Sequence, residues 1–368
     1  MLFFNLRALK NFDWIIIVIT LLLFAIGIAV IYSATYGTTG GGNEALQQGV
    51  FGGVGLLAFL IVAFFDYRSF RGTSSVLYLI TIILLGVVFF TGVTTMGATR
   101  WIDIGGFRFQ PSEFAKLFMI LAMAKYFSDH AEDMHSFKRI VISGIYFAIP
   151  TFLVIMQPDL GTALVFIVIW ISMLAVSRIR LRHFAVLVTG ALLLLPVGWL
   201  TMHDYQKDRI LALVDPANDP QGAGYNVQQA QIAIGSGQML GRGLGHGSQS
   251  QLNFIPEKHT DFIFAALAEE MGFLGAGLVI VLFAVLIFRA ILIAAKSRDY
   301  FGMYLSTGII AMLSFHIFLN IGMNLGIAPV AGIPLPLISL GGSSVVVIFI
   351  LLGILESIHI HRKGLDLA

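Results

Sequence analysis

The chain has 368 residues, 58% of them hydrophobic and only 11% charged, with a formal net charge of +2 and a mean hydropathy of +0.90. Soluble domains carry about 25% charged residues, so this composition excludes an ordinary soluble fold, and the small net charge offers no basic field for nucleic acid. There is no cysteine, which excludes disulfides, zinc–thiolate and iron–sulfur centres and a thiol nucleophile.

A helix needs about 20 apolar residues to cross the hydrocarbon core of a bilayer. In chain order, apolar segments at 14–34, 47–65, 74–92, 111–128, 140–156, 162–176, 184–202, 262–288, 300–324 and 343–360 predict ten spans. No A-x-A-like cleavage site follows the first, so it is expected to stay in place. The fifth and sixth are short and are divided only by residues 157–161. With the N-terminus inside, 15 of the 22 Lys and Arg fall on inner segments and seven on outer ones, and three outer connections (35–46, 157–161 and 325–342) carry none. This asymmetry predicts cytoplasmic termini. The fold class expected is an all-α, polytopic integral membrane protein forming one membrane domain over 1–368. Residues 203–260 form its large extracytoplasmic loop, between helices seven and eight. Within that loop Asn226–Ile234 has helical character, whereas the glycines of 235–247 rule out a regular helix.

Polar residues cluster at the predicted outer ends of the spans. In Pro256-Glu257-Lys258-His259-Thr260-Asp261-Phe262, Glu257, His259 and Asp261 crowd within five residues against an apolar helix. Thr260 or Asp261 is a good helix N-cap. A carboxylate facing apolar surroundings also has a raised pKa, which suits a general base. In the stretch from Arg100 to Lys116, Pro111 starts a helix with Glu113 in its first turn. Glu113 and Lys116 share a face and can pair, and an ionisable residue within a span defaults to a functional reading. Arg100 and Arg108 are the basic residues of that outer loop, where Arg forks bind phosphate in bidentate fashion. Asp159, in the turn Gln157–Thr162, is placed to cap the next helix. The apolar stretch 326–344, broken by three prolines and several glycines, reads as a re-entrant loop beside a polar cavity. His316, Asn320 and Asn324 form a polar stripe suited to interhelical hydrogen bonds.

Five stretches carry a family resemblance: RWIDIGGFRFQPSEFAK at 100–116, QPDLGTA at 157–163, DPANDPQGAGYNVQQAQIAIGSG at 215–237, FIPEKHTDFIFAALAEE at 254–270 and GIPLPLISLGGSS at 332–344. In this order, and with ten spans and the long loop after the seventh, the chain resembles the SEDS family (shape, elongation, division and sporulation) along its whole length. The run 203–210 followed by DPxxDPxGAGYN resembles the RodA branch more than the FtsW branch.

The resemblance implies a peptidoglycan glycosyltransferase of the bacterial plasma membrane, with an extracytoplasmic active site, that polymerises lipid II during elongation and rod-shape maintenance. It also implies a class B penicillin-binding protein and other elongation-complex membrane proteins as partners, and no nucleic acid. The family's functional Asp maps onto Asp261, and its Glu–Lys pair onto Glu113 and Lys116. Such chemistry needs a base, here Asp261, and cations for the pyrophosphate leaving group. The candidate clamps are Arg100, Arg108, Lys116, Arg209 and Lys258, with Glu257, His259, Thr260 and Asp159 as supporting groups. A divalent cation, magnesium or manganese, near Asp261 is compatible with this chemistry, although no spacing demands one. Two other readings share these features: a lipid II flippase, since broken helices and intramembrane ions also mark transporters, and a non-catalytic scaffold for cell-wall enzymes.

Overall fold

The computed structural model describes residues 11–35, 41–95, 98–104, 107–202, 204–214, 219, 222–252 and 254–362. The topology signals Arg7, Lys10 and Lys363, and most of the DPxxDPxG run, lie outside the described residues. Ten helices stand where the apolar segments predict them. They are α1 (Trp14–Thr35), α2 (Gly41–Phe64), α3 (Ser69–Thr91), α4 (Pro111–Asp129), α5 (Phe137–Met156), α6 (Leu160–Val176), α7 (Leu181–Thr201), α11 (Ile263–Ala295), α12 (Tyr300–Asn324) and α13 (Gly342–Ile360). Between α7 and α11 lie the shorter α8 (Asp204–Val214), α9 (Ala223–Ser236) and α10 (Ser248–Gln251). Several helices start a turn or more before the apolar segment, because a helix continues through the interface once nucleated.

Eight of the helices are long and apolar enough to cross a membrane. The other two, α4 and α6, are the ones that bring Glu113, Lys116 and Asp159 into the bundle. They pack on α12 in the interior, so their polar groups face protein rather than lipid. Large apolar side chains such as Leu57, Leu79, Leu192 and Val281 instead point outward, as a lipid-facing belt requires.

One element escapes the all-α expectation. The connection between α3 and α4 folds as a small antiparallel sheet of β1 (Val93–Thr95), β2 (Ala98–Ile104) and β3 (Phe107–Phe109). Its strands are too short for periodicity to reveal.

α11 is sharply kinked. Gly272 adopts φ +67°, ψ −169°, which breaks the helical ladder inside one 33-residue helix. In an unbroken helix the amides of Phe273 and Leu274 would bond the carbonyls of Glu269 and Glu270. Here they donate to the carbonyls of Gln238 and Met239, at 2.8 and 3.1 Å. The freed carbonyls of Glu269 and Glu270 accept from the amides of Arg242 and Gly243, both at 3.0 Å. The glycine-rich segment after α9 thus gives each of these four backbone groups a partner in place of the missing helical bond. The two backbones approach so closely that a Cβ on Gly272 would stand 2.2 Å from the Gly241 nitrogen.

Gly272→Ala should therefore lower stability by about 1–3 kcal/mol, from left-handed strain alone. Gly277→Ala on the same helix meets nothing within 4 Å and should be neutral. Thermal unfolding of the two variants in detergent checks this.

Candidate functional site

The polar ends of α4, α6, α8 and α13 converge with the segment before α11 on a cavity of ≈ 220 Å³. Of the sequence candidates, Arg100, Glu113, Lys116, Asp159, Arg209, Glu257, Thr260 and Asp261 line it. Three do not. Arg108 is exposed on β3, and His259 is not among the lining residues, its carbonyl accepting from the Leu340 amide. Lys258 is buried and donates to the Ser250 carbonyl at 2.5 Å. Burial holds its pKa below the usual lysine range, opposed by Glu270, Glu44 and Glu269. Lys258 therefore anchors the loop and does not face the cavity.

Asp261 does not cap α11. The N-cap is Phe262, which makes no side-chain cap bond. The helix amide of Ala265 is instead satisfied by Asn324 Oδ1 of α12, at 3.0 Å. That releases the Asp261 carboxylate into the cavity. Desolvation and, next, the neighbouring Glu257 push its pKa up to about 6, while Arg209 and Arg100 oppose the rise.

The main chain of this segment is held carbonyl by carbonyl. His259 O accepts from Leu340 N (2.9 Å), Thr260 O from Ser339 Oγ (2.6 Å), and Asp261 O from Asn320 Nδ2 (3.0 Å) and Asn324 Nδ2 (3.1 Å). The broken apolar stretch after α12 is fixed in turn by Gln48 of α2, whose amide spans Ser339 O (3.0 Å) and Gly341 N (3.2 Å). Glu257 has φ +53° and accepts from Thr260 Oγ1 at 2.8 Å, so it turns the chain back toward the cavity. A non-glycine residue held in this left-handed region is strained, and such strain concentrates at functional sites.

The cations are set around this carboxylate. Arg100 of β2 donates to the Pro158 carbonyl and lies 3.7 Å from Asp159 Oδ1. Asp159 caps α6, accepting from Thr162 N at 3.2 Å and Thr162 Oγ1 at 2.8 Å. The Arg209 guanidinium sits 6.0 Å from the ring of Tyr205, and it flanks Gly332 together with Asp261. Lys116 donates to Glu113 Oε1 at 2.7 Å and lies 3.4 Å from His316 Nε2, while Glu113 Oε2 has no protein partner. Lys116 and Glu113 are 2% and 3% exposed, so this is a buried pair rather than a helix-surface one.

A second, apolar chamber of ≈ 150 Å³ shares Arg100, Tyr205 and Arg209 with the cavity and is walled by Leu160, Leu164, Ile210 and Val330. Among the described residues no group of three or more His, Asp or Glu is arranged to hold a metal ion. A divalent cation beside Asp261 and Glu257 would take its remaining oxygens from substrate or water.

Sequence reasoning missed the carboxylates that hold the loop. Glu269 accepts from the amides of Gln249 (2.8 Å) and Ser250 (3.0 Å), capping α10 across the fold. Glu270 accepts from Ser33 Oγ at 2.6 Å. The adjacent pair of acids inside an apolar run was the available signal.

A helical membrane bundle in which Asp261, the buried Glu113–Lys116 pair, Arg100 and Arg209 meet in one cavity is the architecture of a membrane enzyme. The chain belongs to the FtsW/RodA/SpoVE family of cell cycle proteins, whose model matches residues 13–364. It is 41% identical over 350 residues to the peptidoglycan glycosyltransferase MrdB of Escherichia coli K12, covering 94% of each chain. It is 38% identical over 363 residues to stage V sporulation protein E of Bacillus subtilis, covering 95% of this chain and 98% of that one. Among solved structures, a chain of a peptidoglycan synthase complex that coordinates polymerization and crosslinking superposes with a TM-score of 0.82 at 29% identity, covering 96% and 99% of the two chains. The rod shape determining protein RodA of Thermus thermophilus superposes with a TM-score of 0.70 at 26% identity, covering 96% and 98%.

Removing one partner of a buried ion pair costs about 3–5 kcal/mol, because the other charge stays buried alone. Lys116→Met should show that loss, and Glu113→Gln/Lys116→Met should recover most of it. A double-mutant cycle of unfolding free energies checks the coupling.

Proposed function

We propose that this chain is a peptidoglycan glycosyltransferase that polymerises lipid II on the extracytoplasmic face of the bacterial plasma membrane, with Asp261 as general base. The observation that carries this reading is the joining of a charged cavity to an apolar chamber across Arg100, Tyr205 and Arg209. A prenyl pyrophosphate sugar has this polarity: a charged headgroup, a pyrophosphate at the boundary and a hydrocarbon tail.

The chemistry follows from the geometry. The Asp261 carboxylate takes the proton from the acceptor sugar hydroxyl while that oxygen bonds to the donor's anomeric carbon. The bond from that carbon to the pyrophosphate oxygen breaks, and its electron pair leaves on the pyrophosphate. Arg100 and Arg209, at the boundary of the two chambers, neutralise the charge that develops there. Glu113 and Lys116 fix the cavity wall. With cytoplasmic termini, supported by 15 inner against seven outer Lys and Arg, the cavity faces the side where lipid-linked precursors are polymerised.

Resemblance to the RodA branch supports a role in elongation and rod shape. The synthase-complex neighbour supports partnership with a class B penicillin-binding protein, since this sequence contains no S-x-x-K transpeptidase motif. Polar groups gathered at one end of the bundle suit surface chemistry better than passage through the midplane.

The test is polymerisation of lipid II by purified wild type and Asp261→Asn, each with its partner. Asp261→Asn should fold, bind the partner and make no glycan. Glycan from that variant, or lipid II scrambling by the wild type without any polymer, overturns the reading. With a pKa of about 6 the base is about nine-tenths protonated at pH 5 and about nine-tenths ionised at pH 7, so the rate should fall as pH drops through 6. Because folding raises this pKa, the ionised carboxylate costs stability above the usual carboxylate range. Asp261→Asn should therefore melt at a higher temperature than wild type at pH 8, with the difference shrinking toward pH 4.

A further inference from the structure

At the opposite end of α4 from the catalytic cavity, α3, α4 and α5 enclose a second pocket of ≈ 620 Å³. Its mouth is polar and basic. Lys125 bonds Ser75 Oγ at 2.9 Å, His130 Nδ1 bonds the Tyr126 carbonyl at 2.9 Å, and Arg139 stands beside them. The single carboxylate of the lining, Asp129, is taken by Arg71 at 2.5 Å, and Arg139 lies 3.8 Å from the exposed Asp133 outside the lining, so Lys125 leaves the mouth net positive. Behind it, Ile142, Ile145 and Ile149 of α5 follow one another at helical spacing and form an apolar wall descending from Arg139. Between mouth and wall stand Tyr78, Tyr126 and Tyr146, their rings 5.2 and 5.5 Å apart. Two of their hydroxyls are spent on backbone carbonyls: Tyr78 on Tyr146 O (2.9 Å) and Tyr126 on Arg139 O (3.0 Å). The tyrosines thus brace the walls. Ile145 and Ile149 remain about half exposed within the pocket region.

Basic groups at the rim, aromatic rings at the interface and an aliphatic wall below are the polarity profile of one phospholipid. We propose that this pocket seats an anionic phospholipid, its phosphate held by Lys125 and Arg139 and one acyl chain laid along Ile142, Ile145 and Ile149. The charge balance selects the headgroup: a zwitterionic lipid brings no net charge to a net positive mouth. Assignment to the cytoplasmic leaflet rests on the orientation given under the proposed function; binding itself does not.

The test is native mass spectrometry of the full chain in non-ionic detergent, titrated with phosphatidylglycerol or phosphatidylcholine of the same chains. Wild type should retain phosphatidylglycerol preferentially. A basic group near an anionic headgroup contributes about fivefold, so Lys125→Gln/Arg139→Gln should weaken retention on the order of 20-fold, to the phosphatidylcholine level. Ile145→Trp, which narrows the apolar wall and leaves the charges intact, should also lower retention. The exposed basic run offers the control: Arg180→Gln/Arg182→Gln should keep the wild-type preference. Equal retention of the two lipids by wild type, unchanged retention in the first double variant or in Ile145→Trp, or an equal loss in the control variant overturns the proposal. Polymerisation is not read in this assay, so its outcome is independent of the catalytic reading.

Discussion

Asn320 and Asn324, one turn apart on α12, both donate to the main-chain carbonyl of Asp261, and the cavity is arranged around that clamp. Asn324 also accepts from the Ala265 amide in the first turn of α11, the kind of bond an N-capping Thr260 or Asp261 would make. Because helix capping is delegated to a neighbouring helix, the Asp261 side chain is left for the cavity. An amide side chain buried at the boundary of a membrane must find partners. Here the amide donors of Asn320 and Asn324 find the backbone before α11, so the same bonds that satisfy them hold the main chain of Asp261.

A second constraint keeps the long loop in place. Breaking a membrane helix exposes carbonyls and amides that lipid cannot satisfy. The kink at Gly272 resolves this by trading them with residues 238–243. Glu269 and Glu270 add side-chain bonds to the same segment. The loop that roofs the polar end of the bundle is therefore stitched to α11 shortly beyond Asp261, so its position and that of Asp261 are linked through one stretch of chain. Hydrophobic burial sets the bundle, and these few directional bonds select one arrangement of its polar end.

Much of this was legible in the sequence, because membrane helices announce themselves by length and apolarity. All ten segments became helices, including the short pair on either side of Asp159. Glu113 and Lys116 stand out as ionisable groups within an apolar segment, Asp261 and Arg100 as charged groups beside one, and all four meet in one cavity. Three things were hidden. The β1–β3 sheet comprises strands too short for a period. The direction in which Lys258 points depends on burial beside Glu269 and Glu270, which no local spacing encodes. The Gly272 exchange joins segments about 30 residues apart through backbone atoms, to which side-chain patterns are blind. The stripe His316–Asn320–Asn324 was legible as interhelical bonding, but its target, the Asp261 carbonyl, appears only in three dimensions.

The cavity holds Arg100, Lys116 and Arg209 against Glu113, Asp159, Glu257 and Asp261. Lys116 is committed to Glu113, and Arg100 lies against Asp159. Around Asp261, desolvation and, next, Glu257 outweigh Arg209 and Arg100, which is why its carboxyl holds its proton up to about pH 6. The central claim is thus a statement about one ionisation. It is tested most directly by infrared titration of carbon-13 aspartate-labelled protein, with the Asp261→Asn spectrum subtracted to isolate one carboxyl band. The account predicts a protonated carboxyl whose band disappears with a midpoint at about pH 6. A midpoint in the ordinary aspartate range, about pH 4, would contradict it.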